Sequence, residues 1–270
     1  MNAEDALKSG NLDEALGDLQ GRVKKDPADA KLRIFLFQLL ALLGRWERAL
    51  TQLKVAGELD SASLAMVNTY REALVCEAYR AQVFSGERDP LLFGDPAPWM
   101  AMLVEALRLT ARGQVPQSQE LRAQAFEQAP PTAGKIDGEP FAWIADADQR
   151  LGPVLEAIIN GRYYLVPFLN IRKLELEPPA DLRDLVWTPA HITWTNGGEV
   201  VALIPSRYPG SEESEDTRIR MARRTEWADC GSGLFTGMGQ RMLTTDGGEY
   251  PLLETRSIEL EAAVDSAAGT

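Results

Sequence analysis

Two glycines, Gly10 and Gly44, stand 34 residues apart, and their surroundings keep that spacing. Ala15 matches Ala49, Leu16 matches Leu50, Leu19 matches Leu53, and Asp26 matches Asp60. A period of this length is one helix-turn-helix unit. Each glycine falls where a turn needs a left-handed backbone. Each alanine is small where two helices approach, and each second leucine lies one turn on, facing the hairpin core. Asp26-Pro27 ends the first unit and starts the next helix. Such hairpins cannot bury their apolar faces singly and must stack, so the front of the chain is committed to a helical array.

The period is that of the tetratricopeptide repeat. The first helix of the second unit holds the run Leu32–Leu43, LRIFLFQLLALL, in which Gln38 is the one polar side chain past Arg33. A helix apolar all round must be covered all round. The run falls short of the roughly 18 residues that span a bilayer. It is therefore a fully buried core helix, or one with a face kept for another protein. The third unit drifts: Leu64–Phe84 reads as one long helix that stops at Gly86, and the Pro- and Gly-rich RDPLLFGDPAPW reads as a loop. Trp99–Arg112 and Gln117–Gln128, with Gly113 between them, read as a degenerate last hairpin.

At PPTAGKIDGEP, from Pro130, the character changes, which divides the chain into residues 1–135, a tetratricopeptide-like helical domain, and residues 138–270, a C-terminal α+β domain. The fold class expected is α+β: helical repeats, then a mainly antiparallel sheet with at least one packed helix. That helix is placed at Asp148–Asn160, with Gly161 at its C′ position. Strands are expected at Tyr163–Phe168, Ile171–Glu177, Leu185–Thr195 and Val200–Pro205, the last two joined by an Asn196-Gly197-Gly198 turn. Pro209–Asp216 reads as an acidic loop and Thr217–Arg224 as a short helix. Leu234–Thr245 and Ser257–Leu260 supply further strand, with a turn at Asp246-Gly247-Gly248. The small-residue tail from Ala262 is expected to fray.

Little in the sequence carries chemistry. The chain has one histidine, His191, and two cysteines, Cys76 and Cys230, far apart. A zinc site needs about four ligands, so no metal and no cofactor is expected. No nucleophile elbow, phosphate loop or H-E-x-x-H occurs, and no catalytic residue is assigned. Asp146 and Asp148 read as caps of the helix expected after them. GSGLFTGMG, from Gly231, reads as a flexible connection, and Trp143, Trp187, Trp194 and Trp227 as packing. A net charge of −12 argues against nucleic acid and anionic membranes as partners. The N-terminus MNAEDALKSG lacks the basic start of a signal peptide, which points to the cytoplasm.

Longer strings carry a resemblance. DAKLRIFLFQLL from Asp29, ERALTQLKVAGELD from Glu47 and YREALVCEA from Tyr70, with FAWIADADQRLGPVLEAIINGRYY from Phe141, PPADLRDLVWTPA from Pro178 and ALIPSRYPGSE from Ala202, make the chain similar to the ImpE/SciE/TagJ family of bacterial type VI secretion. The resemblance implies a non-enzymatic accessory or adaptor protein. It implies binding to the N-terminal helix of the small contractile-sheath subunit, and a link to the ClpV-type ATPase that recycles the sheath. It transfers no site residue. Two other classes compete: an enzyme using His191 and nearby carboxylates in the C-terminal domain, and a general repeat-type chaperone for unrelated clients.

The repeat register itself places a partner site. With Leu36 and Leu40 packing inside the second unit, Ile34, Gln38 and Ala41 fall on the opposite, concave side. Adding 34 brings Asn68, Glu72 and Val75 to the same side of the next helix. These six form the wall expected to take an amphipathic helix. The competing expectation is that the chain's own later helices seal this side.

Overall fold

The structure, a computed structural model, describes residues 2–95 and 97–261; the tail from Ala262 lies outside them. The helical half runs α1 (Ala3–Lys8), α2 (Leu12–Lys25), α3 (Ala30–Leu42), α4 (Trp46–Leu59) and α5 (Leu64–Phe84). A two-residue strand, β1 (Leu91–Leu92), then precedes α6 (Pro98–Ala111) and α7 (Val115–Gln128). The repeat signals act as expected. Asn2, Asn11 and Asp29 cap α1, α2 and α3 by accepting backbone N–H groups of the first turn. Gly10 and Gly44 turn the chain at φ 79° and 66°. The alanines and leucines of the register, Ala15, Ala49, Leu19 and Leu53, are fully buried.

From Gly134 onward the chain is strand-rich: β2 (Gly134–Ile136), β3 (Glu139–Phe141), β4 (Ile144–Asp146), β5 (Val154–Ile159), β6 (Arg162–Pro167), β7 (Ile171–Leu176), β8 (Trp187–Trp194) and β9 (Glu199–Pro205). A four-residue helix, α8 (Thr217–Arg220), separates these from β10 (Thr225–Asp229), β11 (Phe235–Gly239), β12 (Met242–Thr245), β13 (Glu249–Pro251) and β14 (Ser257–Leu260). The main sheet has the order β1-β6-β5-β9-β8-β7-β14-β2-β3. Its pairings are antiparallel except that of β1, which joins β6 in parallel and so brings a strand of the helical half into the sheet. β13-β12-β4 form a small second sheet and β10-β11 a two-stranded ribbon.

One face of the main sheet packs on the helices and the other on the small sheet. β5 shows the division, because side chains alternate along a strand. Val154 and Ile158 belong to the core shared with α1–α6, whereas Leu155, Ala157 and Ile159 belong to the second core with Leu243 of β12. The first core also takes in Val186, Trp187, Leu203 and Met221, so the two halves share it.

Four expectations are corrected. Asp148–Asn160 is not a helix. Its apolar run is β5, buried on both faces, and a strand covered on both sides loses the alternation that would have marked it. Asn160 and Gly161, at φ 49° and 71°, form a two-residue hairpin turn between β5 and β6 instead of a helix end. Asp146 and Asp148 therefore cap no helix: Asp146 lies in β4, and Asp148 accepts the Arg150 side chain and the Gly237 N–H. The short helix stops at Arg220, since Ala222 turns the chain at φ 52°. The helices packed on the sheet come instead from the first half. Finally, Gly237 and Gly239 sit in β11, where their missing side chains admit the Tyr208 ring and the Arg224 carbonyl. Those glycines serve close approach, not flexibility.

Candidate partner-binding surface

The six residues of the expected wall divide. Gln38 and Ala41 are buried and Ile34 is half-buried, whereas Asn68, Glu72 and Val75 are exposed. The α3 side is sealed by a segment of the second half. Gln38 lies against the Asp181 carboxylate. Arg183 stacks over Tyr70 at 4.8 Å, and Trp187 packs on Tyr70 and Trp46 with ring centroids 5.8 and 6.2 Å away. The concave side of α3 is thus covered by residues 181–187 together with Tyr70 of the later helix α5, whose ring lies 5.9 Å from that of Phe37. Ile34, Gln38 and Ala41 cannot join Asn68, Glu72 and Val75 in one open wall.

Buried charge bolts this seam. Glu156 of β5 points to the helices and accepts Arg80 of α5 through Nε at 2.6 Å and Nη2 at 3.0 Å. Arg241 and the Tyr163 hydroxyl bond the same carboxylate, and Arg241 also pairs with Asp146. Burial alone would push the Glu156 carboxyl up, but the two guanidiniums outweigh it and hold the group well below the usual carboxylate range. For Asp146 burial wins over the single Arg241, and its pKa is pushed up to about 6. Two more bonds cross the seam: Trp187 Nε1 donates to Glu77 of α5 at 2.8 Å, and Arg207 Nη1 donates to the Leu42 carbonyl at 2.9 Å. Every oxygen of Glu156 is spent on a partner and the side chain is fully buried, so this carboxylate holds the seam together.

Open surface begins on the other side of α5. Val201, at 67 %, and Val75, at 60 %, are the two most exposed large hydrophobic side chains among the described residues, and they flank the same Asn160-Gly161 turn. Two cavities meet at that turn. One of about 210 Å³ is lined by Thr69, Glu72, Ile158, Val201 and Leu203. The other, about 290 Å³, is lined by Val75, Cys76, Tyr79, Leu91 and Tyr163, with Arg162 at its rim. Glu72 lies over Gly161 between them, so close that a Cβ on Gly161 would come within 2.6 Å of its carboxylate. The repeat register named Glu72 and Val75, which line these cavities, and did not name Val201 or Arg162, which line them too. The dipeptide Asn160-Gly161, a hairpin signal, would have pointed to Arg162 had β5 not been read as a helix; Val201 comes from β9, which no local signal pairs with β5.

His191 is the exposed residue of β8; it stands between two strand carboxylates, Glu199 at 3.5 Å and its cross-strand partner Glu175 on β7.

A tetratricopeptide repeat pattern matches residues 6–67, and the pattern of the ImpE protein family matches residues 138–259. A curated relative from Pseudomonas aeruginosa, the type VI secretion system accessory component TagJ, is 52% identical over 261 residues, covering 97% of this chain and 92% of that protein. The chain belongs to the ImpE family. The fold of this ImpE-family chain recurs in the crystal structure of protein VPA1032 from Vibrio parahaemolyticus, with a TM-score of 0.86 across 97% of this chain and 98% of that one, at 24% identity.

Proposed function

We propose that this chain is a non-enzymatic accessory protein of a bacterial type VI secretion system, acting in the cytoplasm. It binds the N-terminal segment of the small contractile-sheath subunit and connects it to the sheath-recycling, ClpV-type ATPase. The observation that carries the reading is the 52% identity to a type VI accessory component along 97% of the chain. The surface chemistry agrees. An exposed helix face that carries Val75 beside Asn68 and Glu72, with cavities next to it, is of a kind a protein partner uses. Asn68, Glu72 and Val75 of α5 are the partner-binding residues in this reading. The charge of −12 keeps nucleic acid and anionic membranes from competing. Among the described residues no helix is long and apolar enough to cross a membrane.

The test uses the full chain and the purified small sheath subunit, with and without its N-terminal segment, in isothermal titration calorimetry. Saturable binding that disappears with the segment is expected. Equal binding by both forms of the subunit, or by neither, sinks the proposal. The ATPase link is tested by adding the ATPase to the preformed pair and looking for a three-component complex on a sizing column.

A further inference from the structure

We infer that the surface around the Asn160-Gly161 turn reads a helix with a defined side-chain signature: an apolar residue at position i, a lysine or arginine at i+3 or i+4, and a second apolar residue at i+7. This rests on the adaptor reading and specifies the partner's chemistry at the site.

The signature follows from the order of features along α5. Thr69 and Glu72 line the first cavity, and Val75, Cys76 and Tyr79 line the second. Across the sets, Thr69 and Cys76, and likewise Glu72 and Tyr79, stand seven residues apart, about 10.5 Å along α5 at a rise of about 1.5 Å per residue. A ligand helix lying along α5 places side chains i and i+7 about 10.5 Å apart on one face. An extended segment places same-side residues about 6.6 or 13 Å apart, matching neither. The spacing therefore selects a helix over a strand.

Charge fixes the residue between. Glu72 sits over Gly161, at the junction of the two cavities, and among the described residues no cation pairs with it. Its neighbours there are Gly161, the uncharged polar residues Thr69 and Asn160, and aliphatic side chains, so an incoming ammonium or guanidinium meets one uncompensated carboxylate. The bottom of each cavity is apolar: Ile158 and Leu203 in the first, Tyr163 in the second. Arg162 at the far rim is also unpaired among the described residues and favours an acidic residue, or the negative end of the ligand helix, beyond i+7.

The experiment titrates a fluorescein-labelled N-terminal peptide of the small sheath subunit with the full-length chain and with Glu72→Lys, Val75→Asp and Val201→Asp, reading anisotropy. All three positions are exposed, so the variants should fold, which circular dichroism checks. Each substitution is expected to weaken binding tenfold or more. A peptide whose central basic residue is changed to glutamate should bind the wild-type chain equally poorly and regain at least fivefold on E72K. If the wild type binds and all three variants stay within twofold of it, or the charge swap restores nothing, the site assignment is wrong while the adaptor reading stands. If the wild type does not bind the peptide, both fall.

Discussion

Replacing Arg80 by methionine should uncouple the helices from the sheet, by an amount the structure lets one work out. The substitution keeps much of the side-chain volume and removes a buried cation that makes two bonds to Glu156, one to the Arg207 carbonyl and a longer one to Glu77. With Arg80 in place, two guanidiniums face Glu156 and Asp146; without it, both carboxylates share Arg241. Breaking a buried pair from one side costs about 3–5 kcal/mol. The loss should depend on pH. In the wild type the folded pKa of Glu156 lies well below its unfolded value. Its contribution is therefore complete above the unfolded carboxylate range and is lost only as pH falls through the folded value. In R80M the folded pKa rises, so the deficit grows with pH across that window, by at most about 1.4 kcal/mol per pH unit. Urea unfolding followed by tryptophan fluorescence at about pH 3.5, inside that window, and at about pH 5, above it, measures both parts. The double variant R80M/E156L, which removes the stranded charge, should lose less than R80M alone. A deficit under 1 kcal/mol that is equal at both pH values, or a double variant worse than the single, would refute the reasoning.

Three further outcomes are expected. Gly161→Ala puts a Cβ at φ 71° and within 2.6 Å of the Glu72 carboxylate, and should destabilise by about 1–2 kcal/mol in thermal melts. Burial pushes the Cys76 thiol up to about 12, whereas Cys230 is exposed, so a disulfide reagent at pH 8 should titrate one thiol in the native chain and two in denaturant. A fragment ending at residue 135 should lack a cooperative melt by circular dichroism, because it uncovers the α5 face that holds Glu77 and Arg80 and leaves the shared core without Trp187 and Leu203.

The helical half was legible because local rules and tertiary packing agree there: caps, turn glycines and the alanine–leucine register all point to one hairpin geometry. The strands with one solvent face, β7 and β8, were legible for the same reason. What failed was β5. A run of six buried residues carries no period of its own, and its length permitted a helix. Mistaking it also hid the Asn160-Gly161 turn, turned Asp146 and Asp148 into caps, and left Glu156 without a reason to be in an apolar segment. A lone glutamate in VLEAII has a demanding position to satisfy, and its partners Arg80 and Arg241 lie 76 and 85 residues away. No local pattern announces such a pairing.

The six residues of the expected wall divide into buried and exposed halves for one physical reason. The register assumes that equivalent helices have equivalent surroundings, which holds in a long array where each unit meets another like itself. Here the array meets a sheet. α3 receives residues 181–187 on its concave side, so Gln38 and Ala41 are sealed. α5, the equivalent helix one unit on, sits at the sheet's end, where β6 is followed only by the two-residue β1. Part of its circumference is spent on Glu156 and Trp187, through Arg80 and Glu77. Asn68, Glu72 and Val75 lie outside that contact and stay exposed. All-round apolarity in Leu32–Leu43 shows that α3 must be covered, not by what. α5, more polar, keeps part of its circumference exposed once the sheet has taken the face that carries Glu77 and Arg80.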